Sequence, residues 1–151
     1  MQSGTETDLS PAERRDLRAL AGHMIPASEE FTVPGAEDAA IFDDILRSLG
    51  RDRGSVRAAL SQLAAQAGGG FAALDAPRRE AVAAAFLAGD APEVTVLGRV
   101  VLQCYYRDDR VVRSLGLEPR PPFPKGHKLE QGDWSLLDPV RARAQLWRDA
   151  P

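Results

Sequence analysis

Cysteine is almost absent: Cys104 stands alone among 151 residues. That excludes an internal disulfide framework and a cysteine-built structural zinc site, and it fits a reducing compartment. Histidine is nearly as scarce, with only His23 and His127, far apart in sequence and so no evident metal pair. No stretch approaches the ~20 apolar residues that a spanning helix needs, so direct membrane insertion is not expected. A net charge of −3 offers no general attraction to nucleic acid. The N-terminus, MQSGTETDLSPAERRDLRAL, has no apolar run of the kind a secretory signal requires, so the cytoplasm is the expected compartment. The periplasm becomes the expectation if the native chain carries an export signal missing here.

The sequence also lacks the usual marks of catalysis. The glycines at 68–70 follow a helical pattern and do not have the GxGxxG spacing of a dinucleotide site. Cys104 is followed by Tyr105 and Tyr106, so the CxxCH of covalent haem attachment is missing. The carboxylate pairs Asp43/Asp44 and Asp108/Asp109 are adjacent, which turns them about 100° apart on a helix, and solvated charge is their expected role. Tyr105 and Tyr106 read as amphipathic anchors, ring in the core and hydroxyl outside.

What is present is mostly helix. Ser10, Pro11 and Glu13 form a capping box with proline in the first turn, and Leu17, Leu20, Ala21 and Met24 follow at helical spacing up to Pro26. The run IPASEEFTVPG reads as a structured loop with Phe31 and Val33 tucked inward. A second helix is expected from near Glu37, with Glu37 and Asp38 at its positive end, then Ile41, Phe42, Ile45, Leu46 and Leu49 on one face, and Gly50 as its stop. Val56, Ala59, Leu60, Leu63 and Ala67 predict a third. Asp75 with Pro77, and Asp90 with Pro92 and Glu93, predict caps for a fourth and a fifth. The valine-rich EVTVLGRVVLQCYY suits a strand by composition, but its length and its cap favour a buried central helix. A short turn around Val111, Val112 and Leu115 closes at Gly116. The expectation is an all-α compact bundle of about five to six helices over residues 10–116, after a flexible N-terminus at 1–9.

From 117 to 151 the character changes. Six of the 11 prolines and both tryptophans fall there, which predicts an extended arm with a helical turn near Leu136 to Arg143. A tryptophan buries roughly 150–250 Å², about 4–6 kcal/mol at ~25 cal/mol per Å². Ordering each residue of the arm costs on the order of 1–2 kcal/mol, so the arm needs a continuous surface beneath it. That surface is a partner or the chain's own bundle, and a disordered arm is the third reading, which the concentration of tryptophan here disfavours. The residues expected to dock are Pro121, Pro122, Phe123, Trp134, Leu136, Leu137, Leu146 and Trp147, with Arg141 and Arg143 at the rim.

The first helix running into HMIPA (His23 to Ala27), then VPGAEDAAIFDDIL, then LQCYYRDDRVVRSLGLEPR, together resemble the gluconate 2-dehydrogenase subunit 3 family. These are small helical companions of FAD-dependent sugar and alcohol dehydrogenases of the glucose-methanol-choline (GMC) class. The resemblance covers about Leu17 to Leu117. It implies a non-catalytic, chaperone-like subunit in a hetero-oligomer with a FAD-dependent GMC-type large subunit. FAD and the catalytic histidine would reside on that partner, and this chain would bind no cofactor of its own. Family members often carry a twin-arginine export signal, and this chain departs from that pattern. Two other classes stand beside this reading: a helical module that binds a ligand, and a small enzyme using His23 or His127.

Overall fold

A computed structural model describes residues 8–121, 123–126 and 128–144. The chain divides into two compact units, Met1–Pro119 and Arg120–Pro151. The first unit is all-α, with six α-helices among its described residues: α1 Pro11–Met24, α2 Ala39–Ser48, α3 Arg53–Ala67, α4 Ala76–Leu87, α5 Pro92–Tyr105 and α6 Asp109–Ser114. No extended ladder forms among the described residues; one isolated bridge joins Ser28 and Val33.

Local chemistry explains most of the boundaries. Ser10 accepts the Glu13 N–H while the Glu13 carboxylate accepts the Ser10 N–H, the reciprocal box that opens α1. Asp38 caps α2 by accepting from Ala40 and Ile41, and Asp75 caps α4 by accepting from Arg78. At the end of α3, Gly68 takes φ +70°, a left-handed conformation that costs a glycine nothing. The fifth helix departs from expectation: Ala91, with no side-chain bond, is its N-cap in place of Asp90. Pro92 accounts for this, because it presets the first helical φ and has no N–H left to satisfy.

The five predicted stripes become one core. Leu17 and Leu20 of α1, Ile41 and Ile45 of α2, Leu60 and Leu63 of α3, Phe86 of α4 and Leu97 and Val101 of α5 are all buried. Helix α5 packs on both α3 and α2, which is why Val94, Val100, Cys104 and Tyr105 are buried on more than one of its faces. Among the described residues, no single helix is long and apolar enough to cross a membrane.

Several expectations about single side chains fail. Phe31 is exposed, because the Ser28–Val33 bridge closes a tight turn, with Thr32 at φ +52°, that puts Phe31 at its tip. Tyr106 is also exposed, one position past the buried face that holds Tyr105. Leu115 lies outside the core, whereas Val111 is inside it. The acidic pairs split by role. Asp43 and Asp109 are exposed, but Asp44 pairs with Arg107 at 2.6 Å, and Asp108 caps α6 and pairs with Arg110 at 3.0 Å. Arg110 also reaches Asp38 at 2.7 Å, tying the start of α6 to the start of α2. These two carboxylates are held below the usual range chiefly by the Arg110 hydrogen bonds.

Candidate functional site: the C-terminal arm and the polar cleft

Within the second unit, one regular element forms among the described residues. Asp133 accepts from the Ser135 N–H at 3.0 Å and from its hydroxyl at 2.6 Å, and these bonds hold its carboxyl below the usual range. A 3₁₀ turn then runs Trp134–Leu137 and continues into the short helix α7, Asp138–Arg141, with Pro139 in its first turn. Arg141 pairs with Asp138 at 3.2 Å. The helical turn expected near Leu136 to Arg143 overlaps this element.

Every described side chain from Pro121 to Ala144 is exposed. The large apolar ones stand out: Phe123 is 84% exposed, Trp134 58%, Leu136 74%, Leu137 40% and Val140 53%. Of the predicted docking residues, Trp134, Leu136, Leu137 and Arg141 share this one helical element, and Arg143 follows directly after it. Pro121 and Phe123 lie apart from it, on a separate turn where Arg120 donates to the Gly126 carbonyl at 2.6 Å. Pro122, Leu146 and Trp147 lie outside the described residues, as does His127. Val140, three residues after Leu137, is a further exposed apolar side chain of the same element.

The helical unit carries a second feature, a cleft of about 560 Å³ between α1, the start of α4 and the loop before α2, lined by Arg18, His23, Glu37, Arg79 and Glu80 among others. Its charges are largely committed to the fold. Arg18 Nε donates to the Glu37 carbonyl at 2.9 Å, and Arg79 Nη2 donates to the carbonyls of Ala72 and Leu74 at 3.1 and 2.6 Å. At the start of α2 the cap bonds go to Asp38, which accepts from Ala40 and Ile41, while the Glu37 side chain is directed elsewhere. It packs instead against Gly22 and Gly35, where a β-carbon would overlap it, and its Oε2 is buried without a hydrogen-bond partner.

His23 lines this cleft, and the cleft's lining includes no serine, threonine or cysteine for it to activate. Cys104 is buried in the bundle, and burial raises its thiol above the ordinary value. Burial likewise raises the Tyr105 hydroxyl. Among the described residues, no group of three or more His, Cys, Asp or Glu is placed to hold a metal ion. Comparison of the chain with family models, with curated proteins and with solved structures finds no match.

Proposed function

We propose that this chain is a non-catalytic small subunit that binds and stabilises a FAD-dependent GMC-type oxidoreductase acting on sugars or alcohols. The observation that carries the reading is the arm: a second compact unit in which the described side chains of Phe123, Trp134, Leu136 and Leu137 are exposed. Scattered single apolar residues on a surface are ordinary, but several on one segment mark an interaction site. The order of HMIPA, VPGAEDAAIFDDIL and LQCYYRDDRVVRSLGLEPR along the bundle is what directs the reading to the gluconate 2-dehydrogenase subunit 3 family. In this reading FAD and the reacting groups belong to the large subunit, and the complex works in the cytoplasm unless an export signal precedes the sequence.

The test is co-expression with the flavoprotein encoded nearest to this chain, followed by size-exclusion chromatography read at protein and flavin wavelengths. One peak with both chains and flavin is expected. Removing Arg120–Pro151 should keep the helical circular dichroism of the bundle and release the flavoprotein. A colourless peak of the full chain alone, beside a flavoprotein that is soluble and active without it, refutes the proposal.

A further inference from the structure

The helical unit is acidic: Met1–Pro119 holds thirteen Lys and Arg against eighteen Asp and Glu, a net of −5. One cleft departs from that balance. About 560 Å³ in volume, it lies where the segment before α1, α1 itself, α2 and the start of α3 meet, and it is lined by Arg14, Arg47, Arg53, Asp8, Asp43 and Leu46. Three guanidiniums to two carboxylates leave this lining cationic within a strongly anionic unit.

The three arginines differ in what already holds them. Arg14 is bound to the Asp8 carboxylate and donates to the Leu9 carbonyl at 3.0 Å, so that pair is closed. Arg47 reaches Asp44 only at 3.5 Å, with its side chain 69% exposed, and Asp44 is the closer partner of Arg107 at 2.6 Å. Arg53 has no such partner: its Nε is buried without a hydrogen bond, and nothing among the described residues pairs with its guanidinium. Arg79 and Arg120 also bury an unpartnered Nε, yet each donates through Nη2 to backbone carbonyls. A half-buried cation without a counterion is costly to hold, and a buried polar group left unpartnered by a native fold points to an ion or water that completes it.

Chemistry specifies the ion. The guanidinium fork of N–H donors matches the oxygens of phosphate and carboxylate. Arg47 belongs to α2 and Arg53 opens α3, so donors enter the cleft from separate helices, which suits a tetrahedral oxyanion better than a flat carboxylate. Asp43, the exposed carboxylate of the lining, requires an O–H donor. Inorganic phosphate carries one near neutral pH, and a phosphorylated hydroxy compound carries one on its organic part; sulfate has none.

We infer that this cleft binds a phosphate group, free or as a monoester, with Arg53 as its principal ligand, Arg47 as the second and Asp43 accepting from the bound molecule. The site lies in the helical unit, and it stands or falls separately from the accessory-subunit reading because the chain alone is enough to test it.

The experiment follows the full chain by isothermal titration calorimetry and by thermal melting while sodium phosphate replaces sodium chloride at constant ionic strength near neutral pH. Saturable binding and a rise in melting temperature are expected, with sulfate at least several-fold weaker. Arg53→Gln should weaken phosphate binding by roughly tenfold or more, the loss of one charge-assisted hydrogen-bonding group. Without phosphate the same variant should melt no lower than the unaltered chain, because it removes a charge that has no partner. Arg47→Gln, at an exposed side chain whose loss leaves the fold intact, should weaken binding by about threefold or more. Arg51→Gln, exposed and outside the lining, should change it by less than about twofold. Phenyl phosphate separates the two sources: binding tighter than that of inorganic phosphate assigns the site to an organic phosphate lying against Leu46, and weaker binding assigns it to the free ion.

A response that does not saturate, or that sulfate reproduces in full, overturns the phosphate assignment. Equal losses from Arg51→Gln and Arg53→Gln reduce the effect to general charge and overturn the site. A drop in the melting temperature of Arg53→Gln without phosphate would show that Arg53 is engaged within the fold, and would overturn its role as a ligand.

Discussion

Asp16 is the buried charged residue of the helical unit, 7% exposed, and its removal tests how the unit is held together. Its Oδ1 accepts the Ala72 N–H at 2.8 Å. Ala72 belongs to the 3₁₀ turn Phe71–Ala73, which delivers the fully buried Phe71 into the core next to α1. Asp16→Ala leaves that N–H without its acceptor. A lost bond to a charged group costs roughly 1.5–3 kcal/mol, so about 2 kcal/mol is expected. For a unit of this size that corresponds to a fall in melting temperature of about 6–12 °C. Asp16→Asn keeps an oxygen in the same place and should cost about 1 kcal/mol or less.

Urea unfolding followed by circular dichroism measures both, with a lower midpoint and an unchanged slope as the expected pattern. Asp43→Ala, at an exposed carboxylate, serves as the control and should stay within about 0.5 kcal/mol of the unaltered chain. The reasoning is refuted if Asp16→Ala also falls within that range, or if Asn is as costly as Ala.

Gly22→Ala would place a β-carbon 2.7 Å from Glu37 Oε2 and 3.1 Å from Glu37 Cβ. The overlap should cost about 1–3 kcal/mol and outweigh the roughly 1 kcal/mol that alanine gains over glycine in a helix; in a Glu37→Ala background the same change should become stabilising, and a double-mutant cycle with no coupling would rule this packing out. Arg110→Met removes the cation between Asp38 and Asp108. Because both carboxylates have depressed folded-state values, their contribution is present above the unfolded-state value near pH 4 and lost as pH falls through the lower folded-state values. The variant should therefore be less stable by about 1 kcal/mol at pH 7, a size limited by solvent screening of a side chain that is 44% exposed. The difference should shrink as pH falls below the unfolded-state value and both carboxylates protonate, and one that persists once they are protonated would show that packing and not charge is lost.

Much of the helical unit was legible in the sequence because its signals are local. The stripe of α3, Val56, Ala59, Leu60, Leu63 and Ala67, is buried as read, since 3.6-residue periodicity is a property of one segment and needs no knowledge of its neighbours. The caps at Ser10 and Asp75 are equally local. In the arm, the helical turn expected near Leu136 overlaps the observed one. Trp134 and Leu137 were singled out from chemistry alone, and both are exposed side chains of that turn.

What remained hidden depended on partners distant in sequence. Asp16 sits in a run, ERRDLR, that reads as a polar helix face, and its burial exists only because the turn at Phe71 returns an N–H to it. Glu37 looked like a dipole partner for α2, yet the two glycines that admit it lie on α1 and in the following loop. Phe31 was judged by hydrophobicity, but the bridge from Ser28 to Val33 decided its direction. The sequence by itself determined which segments of the bundle are helices, most of their caps, and the apolar faces of α1, α2 and α3, because those follow from backbone hydrogen bonds and side-chain spacing within a few residues. The tertiary structure decided which polar groups are buried and which apolar groups stay in water, because hydrogen-bond satisfaction and exposure are set by elements that meet only when the chain folds.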